Sequence, residues 1–171
     1  MKRYSVLTFA TCVALVVTCF GENSLAADAL NYTGKYSLLN RKSASGGTDQ
    51  TLEVVQNENA IEVTMVAQGR RTTNRYPLNG SEGDYASPSG VPGKCKAQLK
   101  GKQLVLDPTV VAHPQPTASP VRMHTRERWQ LSADSKTLTI QTDVDFPDFP
   151  ADISTAVSGN TSGKEKYARV E

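Results

Sequence analysis

Short runs of alternating apolar and polar residues, rich in β-branched side chains, constrain this chain more than any other feature. In Thr51-Leu52-Glu53-Val54-Val55-Gln56 and Ile61-Glu62-Val63-Thr64-Met65-Val66, apolar side chains recur at every second position. Successive side chains of a strand point to opposite faces, so such a run packs one face and wets the other. The same pattern marks Gly34–Leu39, Arg71–Leu78, Lys94–Lys100, Gln103–Leu106, Val121–Leu131, Thr137–Val144 and Lys164–Val170. Gln68-Gly69 and Gly101-Lys102 are two-residue turns. Asn79–Pro92, His113–Pro120 and Phe146–Gly163 read as loops, and only Ala151–Val157 carries a helical period. The expected fold is all-β, a single antiparallel meander of about eight strands. Closing it into a barrel removes the edges that an open sheet leaves for aggregation.

The N-terminus carries a different signal. Met1-Lys2-Arg3 is basic, Val6–Phe20 is apolar, Gly21-Glu22-Asn23 breaks the run, and Ser24-Leu25-Ala26 offers small residues for cleavage. This predicts a signal peptide over 1–26 and a β-barrel domain over 27–171, exported to a periplasm or secreted. The alternative is acylation of Cys19, giving a lipoprotein. No later apolar run approaches the ~20 residues of a membrane-spanning helix, so no transmembrane segment is expected after cleavage. Removing Lys2, Arg3 and Glu22 from 19 basic and 17 acidic residues leaves 17 and 16. That balance is too neutral for a nucleic-acid binder, which needs a dominant positive field. Cys12 and Cys19 leave with the leader, so Cys95 has no intramolecular partner. Alternation sets Cys95, Ala97 and Leu99 on one face and the lysines on the other, which predicts a buried thiol.

No nucleophile elbow, phosphate loop or paired-histidine metal spacing is present, so no enzyme, cofactor or metal is expected. The histidines are His113 and His124. The acidic stretch Asp143–Asp152 lacks the central Gly and closing Glu of a calcium loop and reads as a solvated surface. In Val121–Leu131, alternation turns Glu127 and Trp129 inward. Met65 and Tyr167 also point in, and these four are the expected ligand-binding residues. Glu127 would need an inward partner, either a ligand or an arginine, for which Arg71, Arg75 and Arg169 qualify by charge. Arg122, His124, Arg126 and Arg128 line the opposite face and, with Lys94 and Lys96, form an expected anion-binding surface.

Several of these segments together resemble a group of small exported bacterial proteins of lipocalin-like type. The resemblance rests on Tyr32-Thr33-Gly34-Lys35-Tyr36 with Lys42-Ser43, on Gln50-Thr51-Leu52-Glu53-Val54, and on Tyr76-Pro77-Leu78-Asn79-Gly80. It continues through Trp129-Gln130-Leu131-Ser132-Ala133-Asp134-Ser135-Lys136-Thr137-Leu138-Thr139-Ile140 and closes on Lys166-Tyr167-Ala168-Arg169-Val170. Members usually carry Gly where Ser135 stands, and lipocalins proper carry Trp where Tyr36 stands. The resemblance implies a lipocalin-like barrel with an apolar interior and no shared catalytic residues. The expected function is non-enzymatic binding of a small apolar ligand inside the barrel. The alternative is an envelope or interaction module that meets an anionic partner through the basic face.

Overall fold

The computed structural model describes residues 30–39, 50–112, 119–149 and 162–170. The leader with Cys12 and Cys19, His113, and the helical period at Ala151–Val157 lie outside the described residues. The strands are β1 (Gly34–Leu39), β2 (Thr51–Gln56), β3 (Ala60–Ala67), β4 (Arg70–Pro77), β5 (Asn79–Ala86), β6 (Pro92–Lys100), β7 (Gln103–Ala112), β8 (Val121–Leu131), β9 (Thr137–Asp145) and β10 (Gly163–Arg169). All pairings are antiparallel, in the order β4-β3-β2-β1-β10-β9-β8-β7-β6-β5. The first and last strands meet where Tyr36 lies opposite Arg169 and Leu38 opposite Tyr167. The meander thereby wraps into a nearly closed barrel, with β4 and β5 at its unzipped seam.

The sheet has ten strands, one more than the nine segments that read as strands in the sequence. The strand missing from the sequence reading is β5, which has no apolar run of its own. Its ladder comes from β6, which pairs with it from Asn79↔Gln98 to Ala86↔Pro92. The register shifts between Asn79 and Glu82, where Gly80 takes φ +80° and a side chain would strike Gln98. Strand β7 also runs further than read, past Pro108. The β7–β8 ladder pairs Leu106 with Glu127 and resumes at Thr109 and His124, so the missing donor falls in a gap.

Inward residues of every wall form one core that includes Tyr36, Leu52, Val54, Ile61, Leu104, Trp129, Leu138 and Tyr167. Cys95 belongs to it, and burial pushes its thiol up to about 12. Its sequence neighbour on that face, Leu99, is 41% exposed, contrary to expectation, because it sits beside the Gly101 turn at the barrel rim.

The segment before β1 plugs one end of the barrel. Gln56 holds it, accepting the Tyr32 amide at 2.9 Å and donating to the Leu30 carbonyl at 3.0 Å. The Tyr32 hydroxyl donates to the Trp129 carbonyl at 2.8 Å and accepts the Leu104 amide at 3.0 Å. Burial raises this hydroxyl's pKa to about 12. The Tyr36 hydroxyl donates to the Tyr32 carbonyl at 2.7 Å and accepts from Arg169 at 2.8 Å. Arg169 lies 5.3 Å over the Tyr36 ring.

Ser135 stands at φ +56° in the β8–β9 hairpin. That conformation costs a residue with a Cβ about 1–2 kcal/mol and glycine little. Ser135→Gly should raise stability by roughly 0.5–1 kcal/mol after its extra chain entropy is counted. A thermal melt checks this, and an unchanged or lower midpoint would refute it.

Candidate functional site

The seam between β4 and β5 is bridged by a side chain in place of a ladder. Asn74 Nδ2 donates to the Ala86 carbonyl at 2.9 Å, and its Oδ1 accepts the Ala86 amide at 2.8 Å. Pro77 has no N–H to offer across the seam, and its ring presses on Gly83, where a Cβ would lie 3.1 Å from Cδ.

Behind this bridge lies a cavity of about 40 Å³ lined by Val63, Met65, Thr72, Asn74, Tyr76, Tyr85, Ala86, Pro88, Glu127 and Trp129. It reaches from Pro88, exposed at the surface, to Trp129, which is 2% exposed. Met65, Glu127 and Trp129, all expected ligand residues, are therefore brought together. Tyr167 lies outside the lining but is linked to it: its hydroxyl donates to Glu165 at 2.7 Å and accepts from Gln50 at 2.9 Å, and Gln50 Nε2 also lies 3.8 Å from the Met65 sulfur.

The sequence reading did not name Thr72, Asn74, Tyr76 and Tyr85 as site residues. Alternation within Arg71–Leu78 already sets Thr72, Asn74 and Tyr76 on one face, so that signal was present. Tyr85 sat in a segment read as a loop and had no such signal.

Glu127 meets none of the three arginines that qualify by charge. Arg71 pairs with Glu53 at 3.5 Å on the outer face, Arg75 is exposed on the outward face of β4, and Arg169 is committed to Tyr36 and the Thr33 carbonyl. The inward positions of β4 are instead the uncharged Thr72, Asn74 and Tyr76. The group that meets Glu127 is the Trp129 indole N–H, donating to Oε2 at 2.8 Å. Burial raises the Glu127 pKa, the indole bond opposes this, and Glu165 adds to it. Burial likewise raises the Tyr76 and Tyr85 hydroxyls above their ordinary range.

A carboxyl with a higher pKa folded than unfolded binds its proton more tightly in the folded state. Its stabilising contribution is full below the unfolded value and is lost as pH rises through the folded one. Glu127→Gln keeps an oxygen for the indole and removes the charge. Melts should coincide for variant and native protein near pH 4, and the variant should melt higher at pH 7. Coincidence at both pH values would show that Glu127 bears no such penalty.

The outer basic row is interleaved with carboxylates. Arg126 bonds Asp107 at 2.7 Å, with His124 3.9 Å from the same oxygen. Arg122 lies 3.5 Å from Asp148, Arg128 pairs with Asp143, and Lys94 bonds Asp84 at 2.7 Å. Lys96 is exposed on the same face of β6 as Lys94. Such exposed pairs contribute little stability, but they shrink the field an anion would meet. The acidic stretch read as solvated supplies Asp143 and Asp148 to these pairs. Among the described residues no group of three metal-ligating side chains occurs, and no helix is long and apolar enough to cross a membrane.

No protein-family model matches the chain, and neither does any curated protein sequence. Solved structures do. A fatty acid transporter, REP1-NXSQ, is 14% identical with a TM-score of 0.52, over 81% of this chain and 96% of that one. Fatty-acid-binding protein 1 of Echinococcus granulosus is 8% identical with a TM-score of 0.53, over 81% and 97%. The zebrafish ileal bile acid-binding protein, complexed with cholic acid, is 12% identical with a TM-score of 0.52, over 81% and 97%. The likeness establishes the fold as a barrel of the fatty-acid-binding-protein and lipocalin-like kind.

Proposed function

We propose that this protein is a non-enzymatic binder of a small, largely apolar ligand, taken into the barrel through the β4–β5 seam. The cavity behind Asn74 carries the reading, because it joins an apolar lining to a few convergent polar groups, the usual make-up of a ligand site. The printed names of the similar barrels, which refer to fatty acids and a bile acid, support the ligand class. Among the described residues neither histidine nor cysteine lines the cavity.

The resident volume of about 40 Å³ sets a size limit. Sites for drug-sized molecules run to roughly 300–1,000 Å³. The inserted part of the ligand is therefore small, or Met65, unbranched and adaptable, moves aside for it. The same reading makes the chain an exported one, cleaved behind Ala26, in keeping with its basic-apolar-small leader. Sequencing the mature N-terminus tests this: a start at Ala27 supports it, whereas a lipid-modified Cys19 would mean anchoring instead.

The binding test combines organic extraction of the natively purified protein, read by mass spectrometry, with titration by the neutral dye Nile red. Saturable dye fluorescence should appear and fall at least tenfold in affinity in Met65→Trp, with an unchanged circular dichroism spectrum. An empty extract together with no dye binding would refute the reading.

A further inference from the structure

We propose that the cavity selects a ligand whose polar end is a primary ammonium rather than a carboxylate. The inference rests on the binding reading above and specifies the ligand's head group. Its basis is the charge inside the barrel. Among the described residues the lining holds one carboxyl, Glu127, and no Lys, Arg or His. The indole of Trp129 satisfies Oε2, leaving Oε1 without a donor among the described residues. The charged and titratable groups on the neighbouring walls do not supply a cation. Tyr76 comes from β4, Tyr85 from β5, Cys95 from β6 and Glu165 from β10, and of these Glu165 adds a second negative charge.

An incoming carboxylate would therefore lie beside a carboxyl in a site only partly open to water, with the nearest indole N–H already taken. Like charges held together in low dielectric disfavour one another strongly. An ammonium does the reverse. It brings donors to Oε1 and pairs a charge whose burial is otherwise costly. The lining is ordered for such a molecule once Met65 moves aside: Trp129 lies at depth beside Glu127, Val63 and Ala86 supply apolar contact, and Pro88 stands at the exposed mouth.

The test is calorimetric titration of the mature protein with hexylammonium, hexanol and hexanoate, which share a chain and differ in head group. The ammonium should bind at least tenfold more tightly than hexanoate, with hexanol between them. In Glu127→Gln the ammonium-to-hexanol affinity ratio should fall toward one, and a melt run alongside verifies folding. Hexanoate binding as well as the ammonium would overturn the head-group proposal while leaving the binding reading standing, and so would an unchanged ratio in a folded variant. Absence of binding by all three, with no Nile red response, would instead remove the binding reading and this proposal with it.

Discussion

Trp129→Ala lowers the stability of the barrel by about 3–5 kcal/mol, the usual loss for truncating a buried aromatic side chain. Trp129 is 2% exposed and packs edge-on against Tyr32 with ring centroids 6.5 Å apart. Its removal opens a void beside the existing cavity and takes from Glu127 the donor seen at 2.8 Å. Small domains are stable by about 5–15 kcal/mol, so the variant keeps only part of the native margin. Because the chain has one Trp, the transition must be followed by far-ultraviolet circular dichroism. Trp129→Phe keeps part of the volume and loses the N–H, and it should fall between the two. The loss in either variant should shrink at low pH, where a protonated Glu127 no longer needs the indole as a charge partner. An unfolding free energy from urea titration within about 1 kcal/mol of native for Trp129→Ala would contradict the packing described.

Tyr32→Phe should cost about 2–4 kcal/mol while removing a single oxygen atom. That hydroxyl serves the Trp129 carbonyl and the Leu104 amide, neither of which has water to turn to once the hydroxyl is gone. An orphaned buried polar group costs roughly 1–3 kcal/mol. Tyr36→Phe is the control. Its hydroxyl also makes two bonds, but one of them is to Arg169, whose guanidinium also bonds the exposed Thr33 carbonyl. Its loss should stay below about 1.5 kcal/mol, the net worth of an ordinary hydrogen bond. Equal losses in both variants would mean that losing the Arg169-bonded hydroxyl of Tyr36 orphans its partners as fully as losing that of Tyr32.

Much of the wall was legible in the sequence. Val121–Leu131 reads as a strand and is β8 from end to end, and its alternation correctly sets Glu127 and Trp129 inside and the arginines outside. Those are local facts, written in the pleat. Strand β5 was not legible because Asn79-Gly80-Ser81-Glu82-Gly83-Asp84 has no period to read; it is extended because β6 offers it a ladder. The anionic partners of Arg122, Arg126 and Arg128 were equally hidden. Asp107, Asp143 and Asp148 reach them only through the registers of β7, β8 and β9 and the turn beyond β9.

The amino-acid order on its own determined which residues are extended and which side of the sheet each one faces, since both follow from neighbours one or two positions away. Closure decided the rest. Only wrapping the meander brings Asn74 to Ala86 across the seam, sets Met65 and Tyr76 opposite Glu127, and lets Tyr32 reach Leu104 and Trp129. Those contacts join strands whose spacing around the barrel depends on every register between them, and one residue of slip anywhere would turn a face inside out.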